Sequence, residues 1–287
     1  MILNYFRIPV RVQKVQVVGV KEPVKRVRGP AARVQRLRPA MGTWAALEAF
    51  AGTPESTLAA VNAAYLEIGS IERQLHPNRE GSDLRSIHTA PLHTPVRVSA
   101  ATWQLLRLAQ SVYALSEGIF DPCLPYLPGR LADLVLSDPG IKTHWALCRV
   151  PLALDLGGIA KGYAIDRAIA ALRLAGCVSG VVNVGGDLRI FGRSDTVLLR
   201  YSDGSCLPFT LKDEALAVSD LDAQAERRPP EHQGYYRRSG KIDPMRRYAA
   251  VVAASAAIAD ALTKCVLLAE KRLAARTLRA LGARQVA

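Results

Sequence analysis

LDLGGIAKGYAIDRAIAALRLAGCVSGVVNVGGDLRIFG, residues Leu154 to Gly192, has the pattern strand, glycine turn, helix, strand, glycine pair, strand. Val150, Leu152, Leu154 and Leu156 alternate with other residues, the period of a half-buried strand. Gly157 and Gly158 break that pattern. Apolar residues three and four apart then predict a helix from about Ile159 to Ala175, with Gly176 where a C-cap belongs. Val181, Val182 and Val184 predict a second strand, closed by the pair Gly185-Gly186. A glycine turn feeding a helix presents backbone N–H groups and the positive end of the helix dipole, which suits a phosphate. Lys161, in the first turn, adds a cation there. The plainer alternative is a tight connection with a solvated lysine, and spacing alone does not separate the two. No Ser or Thr follows Lys161 in a G-x-x-x-x-G-K frame, so this is not a P-loop, and the G-x-G-x-x-G dinucleotide fingerprint is absent.

The charge balance is uneven. Of the net +13 carried by 287 residues, residues 1–40 supply +9, from ten Lys/Arg against one acid, Glu22. The remaining chain carries only +4, which argues against a nucleic-acid-binding body, and no RNP, helix-turn-helix or zinc motif is present. Residues 1–40 read as a basic N-terminal extension, disordered or loosely attached, with the domain covering 41–287. The alternation at Val10, Val12, Val15, Val17 and Val18 leaves room for an extra strand. The extension has no continuous apolar core of about seven residues with a cleavage site, as a secretory signal requires. No stretch approaches the ~20 apolar residues of a membrane span. Cys123, Cys148, Cys177, Cys206 and Cys265 are odd in number and widely spaced, which argues against a disulfide framework or a zinc site. A reducing, cytoplasmic setting is the simplest expectation.

Around the central stretch, a helix is expected from Pro54 to Leu75, with Leu58, Val61, Tyr65, Ile68 and Leu75 on one stripe. Ser82 and Ser99 can each cap a helix, the second reaching about Ser116 before Gly118. Short strands are expected at Val96–Val98, across 196–218 and at Val251–Ala253. Residues 219–246 are polar and turn-rich. Ser255 can cap a helical region, 256–281, broken near Glu270. Helices and strands mix without a regular βαβ alternation, so the fold class expected is α+β.

Several separated motifs, in order from Met41 to Ala269, resemble those of the ApbE family, the FAD:protein FMN transferases. Met41-Gly42-Thr43 is similar to its opening M-G-T, and Gly81-Ser82-Asp83-Leu84 to its S-[DE]-L segment. Gly118 to Pro122 resembles G-x-F-D-P, Leu154 to Asp166 resembles D-L-G-G-x-A-K-G-Y-x-x-D, and Asn183 to Asp187 resembles N-x-G-G-D. Ala217-Val218-Ser219 is similar to A-T-S, Asp243-Pro244 to the end of H-x-x-D-P, and Ala259 to Leu262 to the start of A-D-A-L-x-T.

The resemblance implies a single α+β flavin-transferase domain with mixed sheets and packed helices. It implies FAD as substrate, a Mg²⁺ ion, and a target flavoprotein whose Thr or Ser hydroxyl attacks the FMN phosphate while AMP leaves. It also leaves a periplasmic setting open. Lys161 and Asp260 are implied as catalytic. The Ala160 carbonyl, the Asp260 carboxylate and Thr263 are implied as metal ligands, since Mg²⁺ takes oxygen ligands shared with phosphates. Met41, Gly42, Gly157, Gly158, Gly185, Gly186 and Asp187 are implied in the FAD pocket. Asp121 and Asp166 are implied as flavin-site or site-ordering carboxylates. An Asx turn before Pro122 is the alternative for Asp121, a helix-surface acid for Asp166 and a turn residue for Asp187.

Two departures matter. Gly240 stands where the family has histidine before D-P, and His232 is eleven residues upstream of Asp243. Lys264 stands where the family has threonine four residues after the aspartate, with Thr263 one residue earlier. An ammonium has no acceptor and cannot ligate a cation, although it can supply charge. The alternatives to transfer are hydrolysis of FAD to FMN and AMP, or flavin binding with little catalysis.

Overall fold

The computed structural model describes residues 15–18, 32–140, 142–201, 203–221 and 246–286. In chain order the strands are β1 (Val15–Val18), β2 (Ala32–Ala40), β3 (Thr43–Ala51), β4 (Val96–Arg97), β5 (Leu134–Leu136), β6 (Trp145–Cys148), β7 (Ser179–Val184), β8 (Asp187–Phe191), β9 (Ser194–Arg200), β10 (Cys206–Lys212), β11 (Ala215–Asp220), β12 (Tyr248–Ala253) and β13 (Arg284–Gln285). The helices are α1 (Pro54–Gln74), α2 (Asp83–Thr89), α3 (Ala100–Leu115), α4 (Ala160–Leu174), α5 (Ala256–Leu268) and α6 (Lys271–Ala280).

A seven-stranded sheet, ordered β13-β12-β11-β8-β7-β3-β2 and antiparallel throughout, separates two apolar layers. Alternation along each strand sends side chains to opposite faces. Val182, Val184 and Phe191 join the core under the helices, whereas Val181, Leu188 and Ile190 meet Val197, Leu199 and Leu211 of β9 and β10. On the helical face, α4 packs between α1 and α5. The class is therefore α+β, as expected. A third, small sheet, β4-β6-β5, lies outside this stack.

Local chemistry explains most of the boundaries. Thr53, Ser82, Ser99 and Ser255 each accept a first-turn N–H at the start of α1, α2, α3 and α5. Gly176, at φ +83°, closes α4. The Cys177 N–H then reaches Leu172 O and the Gly176 N–H reaches Arg173 O, a Schellman ending. The helical region after Ser255 does break at Glu270. Cys123, Cys148, Cys177 and Cys265 are buried free thiols, and Cys206 is exposed. No helix among the described residues is long and apolar enough to cross a membrane.

Two expectations need correction. The alternation Val150 to Leu156 does not form a ladder strand. Pro151 cannot donate, and the segment instead lies extended against the proline-rich loop. Leu124 N–H donates to Ala153 O, Asp155 N–H to Pro122 O, and one isolated bridge joins Cys123 to Leu154. The basic extension is also not loosely attached up to residue 40. Ala32–Ala40 pairs along its whole length with β3, and Val34 is buried. Arg33, Arg36 and Arg38 sit on this edge strand, where exposed cations discourage further pairing. Farther upstream, Val15–Val18 pairs antiparallel with β9, which takes up the room left for an extra strand.

Deleting residues 1–38 therefore removes most of a paired sheet strand. The truncated protein is expected to melt lower by about 10 °C or more, or to fail to fold, in a thermal unfolding experiment. An unchanged melting temperature would contradict the role of β2.

Candidate functional site

Both family-like glycine turns lie at one end of the large sheet. Met41-Gly42 joins β2 to β3 with φ of 54° and 69°, and Gly185-Gly186 joins β7 to β8 with φ of 62° and 99°. These are two-residue hairpin turns of the kind that need positive φ at both positions. The turns touch: Gly185 N–H donates to Trp44 O at 3.0 Å, and a Cβ on Gly185 would stand 2.9 Å from Thr43 Cγ2. Asn183 Oδ1 accepts the Gly186 N–H at 3.1 Å and fixes the second turn.

Asp187 follows that turn and is held from two sides. Its Oδ1 accepts the Val218 N–H of β11 at 3.1 Å, and its Oδ2 accepts from Lys161 Nζ at 2.6 Å. Lys161, in the first turn of α4, also lies 3.6 Å from Asp260 Oδ2 on α5. That same oxygen accepts the Gly162 N–H at 3.2 Å. Lys264, one turn beyond Asp260, donates to Asp260 Oδ1 at 2.5 Å and to Asp260 O at 2.9 Å. The side chains of Asp187, Asp260 and Lys264 are 5%, 2% and 6% exposed, whereas Lys161 keeps 28%. Lys161 is thus the open member of a closed charge cluster.

Burial opposes the charge on Lys161, but Asp187 and Asp260 outweigh it and hold the ammonium well above the ordinary lysine range. Burial likewise opposes the charge on Asp260. The charges of Lys161 and Lys264, with the Lys264 and Gly162 hydrogen bonds, hold it below the ordinary carboxylate range. The Asp260 contribution to stability is present above pH ~3.9 and lost as pH falls through its lower folded value. The Lys161 contribution is present below pH ~10.4 and lost as pH rises through its higher folded value. Across neutral pH the cluster keeps both charges.

The helix contact that carries Asp260 depends on Gly162, the glycine after Lys161 in the motif from Leu154 to Asp166. A Cβ on Gly162 would stand 2.2 Å from Ala256 O and 2.7 Å from Ala257 Cα, so α4 and α5 approach to backbone contact there. A glycine inside a helix costs stability and needs such a reason, which was the available signal. Asp166 holds the same junction. Its Oδ2 accepts from Ser255 Oγ at 2.6 Å and Ala257 N–H at 3.0 Å, and its Oδ1 from Ala256 N–H at 3.0 Å and Arg189 at 2.5 Å. Both Asp166 oxygens are thus engaged at the start of α5. Asp166 caps α5 rather than offering a free carboxylate to a flavin or to solvent.

The N–H groups expected to be free at the glycine turn are partly committed. Leu156–Gly158 forms a 3-10 turn in which Gly157 N–H donates to Asp155 Oδ1 at 2.8 Å. Asp121, 1% exposed, accepts the Cys123 N–H at 3.0 Å across Pro122, which is the Asx-turn reading. Its loop is tied to the Leu154 segment through the Asp155–Pro122 backbone bond. His88 holds the same segment: the Leu154 N–H donates to its Nε2 at 2.9 Å. His232, Gly240, Asp243 and Pro244 lie outside the described residues.

The oxygen set implied for Mg²⁺ does not fit the ion. Asp260 Oδ1 faces the Lys264 ammonium, and Oδ2 faces the Gly162 N–H and Lys161. Thr263 Oγ1 donates to Asp260 O at 2.7 Å and lies 2.6 Å from Ser219 Oγ, fully buried. Of the expected ligands Ala160, Asp260 and Thr263, the two side chains are engaged with protein partners. Lys264 places a cation beside Asp260 Oδ1, while Thr263 is taken up by Asp260 O and Ser219. Among the described residues, no group of three or more His, Cys, Asp and Glu is placed to hold a metal.

The family model described as the ApbE family matches residues 41–286. The chain belongs to the ApbE family. Its fold is that of family members of known structure. The ApbE protein of Thermotoga maritima superposes with a TM-score of 0.71 at 20% identity, over 88% of this chain and 93% of that one. The apo flavinyl transferase ApbE of Pseudomonas stutzeri gives 0.69 at 20% identity, over 87% and 88%. The flavin transferase ApbE of Vibrio cholerae gives 0.67 at 19% identity, over 87% and 91%. No curated protein matches the sequence. The family match starts at Met41, whereas the sheet already includes Ala32–Ala40.

Gly162→Ala is expected to cost about 3 kcal/mol of unfolding free energy, because backbone faces the new methyl. Denaturant melts that coincide with wild type would contradict the close approach of α4 and α5. His88 gives a pH signature. Burial lowers its pKa, and protonation would remove the acceptor for the Leu154 N–H. Stability is therefore expected to fall as pH drops below ~6.5, and His88→Gln, which keeps an acceptor, is expected to lose that part of the slope. Parallel pH profiles for the two proteins would contradict this.

Proposed function

We propose that this chain transfers FMN from FAD to a Thr or Ser hydroxyl of a target flavoprotein and releases AMP. Family membership supports the reaction. The observation that carries it to particular residues is the Lys161 ammonium, held between the buried carboxylates Asp187 and Asp260, where two glycine hairpins and α4 meet.

In the transfer, the acceptor oxygen bonds to the FMN-side phosphorus. The bond from that phosphorus to the bridging oxygen breaks, and AMP leaves with the electron pair. Little covalent chemistry is left to the protein, so positioning and charge compensation dominate. Lys161 is assigned to the pyrophosphate, where its ammonium meets the charge that grows on the departing AMP. Asp187 and Asp260 orient that ammonium, and Asp166 orients Asp260 by capping α5. Met41, Gly42, Gly185 and Gly186 line the approach, and Gly157 and Gly158 set the direction from which α4 presents Lys161. Gly240 supplies no base, and we assign the hydroxyl proton to water. A loose transition state depends less on a base than on fixed charge.

The protein is to be incubated with FAD and a flavoprotein domain bearing an acceptor Thr or Ser. Covalent FMN on the domain, read by mass and by in-gel fluorescence, with one AMP released per FMN attached, is the expected result. Free FMN and AMP with an unlabelled domain would replace transfer with hydrolysis, and intact FAD would leave binding alone. Lys161→Ala is expected to weaken FAD binding by about tenfold or more in titration calorimetry, since a charged phosphate contact is lost. Unchanged affinity in the folded variant would remove Lys161 from the site.

A further inference from the structure

We infer that the Lys264 ammonium is a built-in replacement for a divalent cation, so that this chain holds FAD without a metal. The inference rests on the proposed FAD site and concerns the charge that the site supplies.

Lys264 Nζ stands 2.5 Å from Asp260 Oδ1 and 2.9 Å from Asp260 O, with its side chain 6% exposed. A magnesium ion on the same oxygen would need a metal–oxygen distance of about 2.1 Å. An ion at that distance would compete with the ammonium for the same lone pairs and meet its charge at close range in a poorly hydrated site, where repulsion is strong. Spacing explains why the lysine lands there. Positions four apart on a helix share a face, so residue 264 points where Asp260 points. Thr263 does not restore an oxygen, because its hydroxyl turns back to Asp260 O and to Ser219.

The charge balance is consistent. Asp187 and Asp260 are matched by Lys161 and Lys264, so the cluster is neutral with no ion present. With threonine at 264 the same cluster would carry one net negative charge and would repel a pyrophosphate unless a cation joined it. Lys264 neutralises Asp260 from the buried side, so Lys161, the least buried member, is left to balance Asp187 and to meet phosphate.

The test has a flavin-free arm and a flavin arm. Mn²⁺ binding is measured by the loss of the free-ion electron paramagnetic resonance signal, for wild type and Lys264→Thr. Wild type is expected to bind no Mn²⁺ at about millimolar concentration, and the variant to bind it and to gain melting temperature with it. Mn²⁺ binding by wild type, or by neither protein although the variant folds, overturns the inference. If the variant does not fold, the wild-type result decides. In the second arm, wild-type FAD affinity is measured by calorimetry in chelator and in Mg²⁺. Affinities within about twofold of each other support the inference, and a loss of about tenfold or more in chelator overturns it. FAD binding in neither buffer overturns the proposed function instead, and the flavin-free arm then decides the inference.

Discussion

One buried carboxylate, Asp260, ties the helical layer to the sheet end that carries the site. It needs partners because an ionised group away from water is costly unless paired and hydrogen-bonded. It finds them in two lysines and one helix N–H. Those partners come from α4 and from α5 itself, so charge satisfaction and helix docking are the same event. Gly162 permits the approach, Asp166 caps the approaching helix, and Lys161 bridges onward to Asp187 at the hairpin turn. Loss of any one of these contacts leaves a charge or a donor stranded at the junction.

The sandwich supplies the frame. Over β7, β8, β11 and β12 both faces of the large sheet are covered, and apolar side chains alternating between two cores fix the register of these strands. Pairing of β3 with β7 brings the turns at Met41-Gly42 and Gly185-Gly186 into contact, and pairing of β8 with β11 sets the β11 backbone against Asp187. The candidate site lies where loops and helix ends converge on the sheet, a placement in which loops carry chemistry and the scaffold carries position.

Elements with a strong local cause were legible in the sequence. The Ser99 and Ser255 caps, the Gly176 ending, the α1 stripe and the hairpin after Val184 follow from residues acting on their own neighbours. Reading failed where distant partners decide. Residues 32–40 look like a basic tail because an edge strand exposes one side and carries arginines, and only pairing with β3 reveals it. Val150 to Leu156 has strand period, but Pro151 and the loop beside it prevent a ladder. The motif residues Lys161, Asp187 and Asp260 come together in the structure, and the contacts each makes depend on geometry. Asp166 proved to be a cap, and the Lys264 departure became a pair with Asp260 that spacing allowed but did not require. Gly162 stands in the K-G-Y part of the motif from Leu154 to Asp166, and His88 follows the Gly81 to Leu84 segment, but what each packs against or bonds lies far along the chain.

The most direct measurement is a crystal structure of the FAD complex grown with MnCl₂, with anomalous scattering used to locate manganese. The pyrophosphate is expected within hydrogen-bonding distance of Lys161 Nζ, with Asp260 still paired with Lys264 and no anomalous peak between Asp260 and the phosphates. A manganese peak on Asp260, or a pyrophosphate bound away from Lys161, would contradict this.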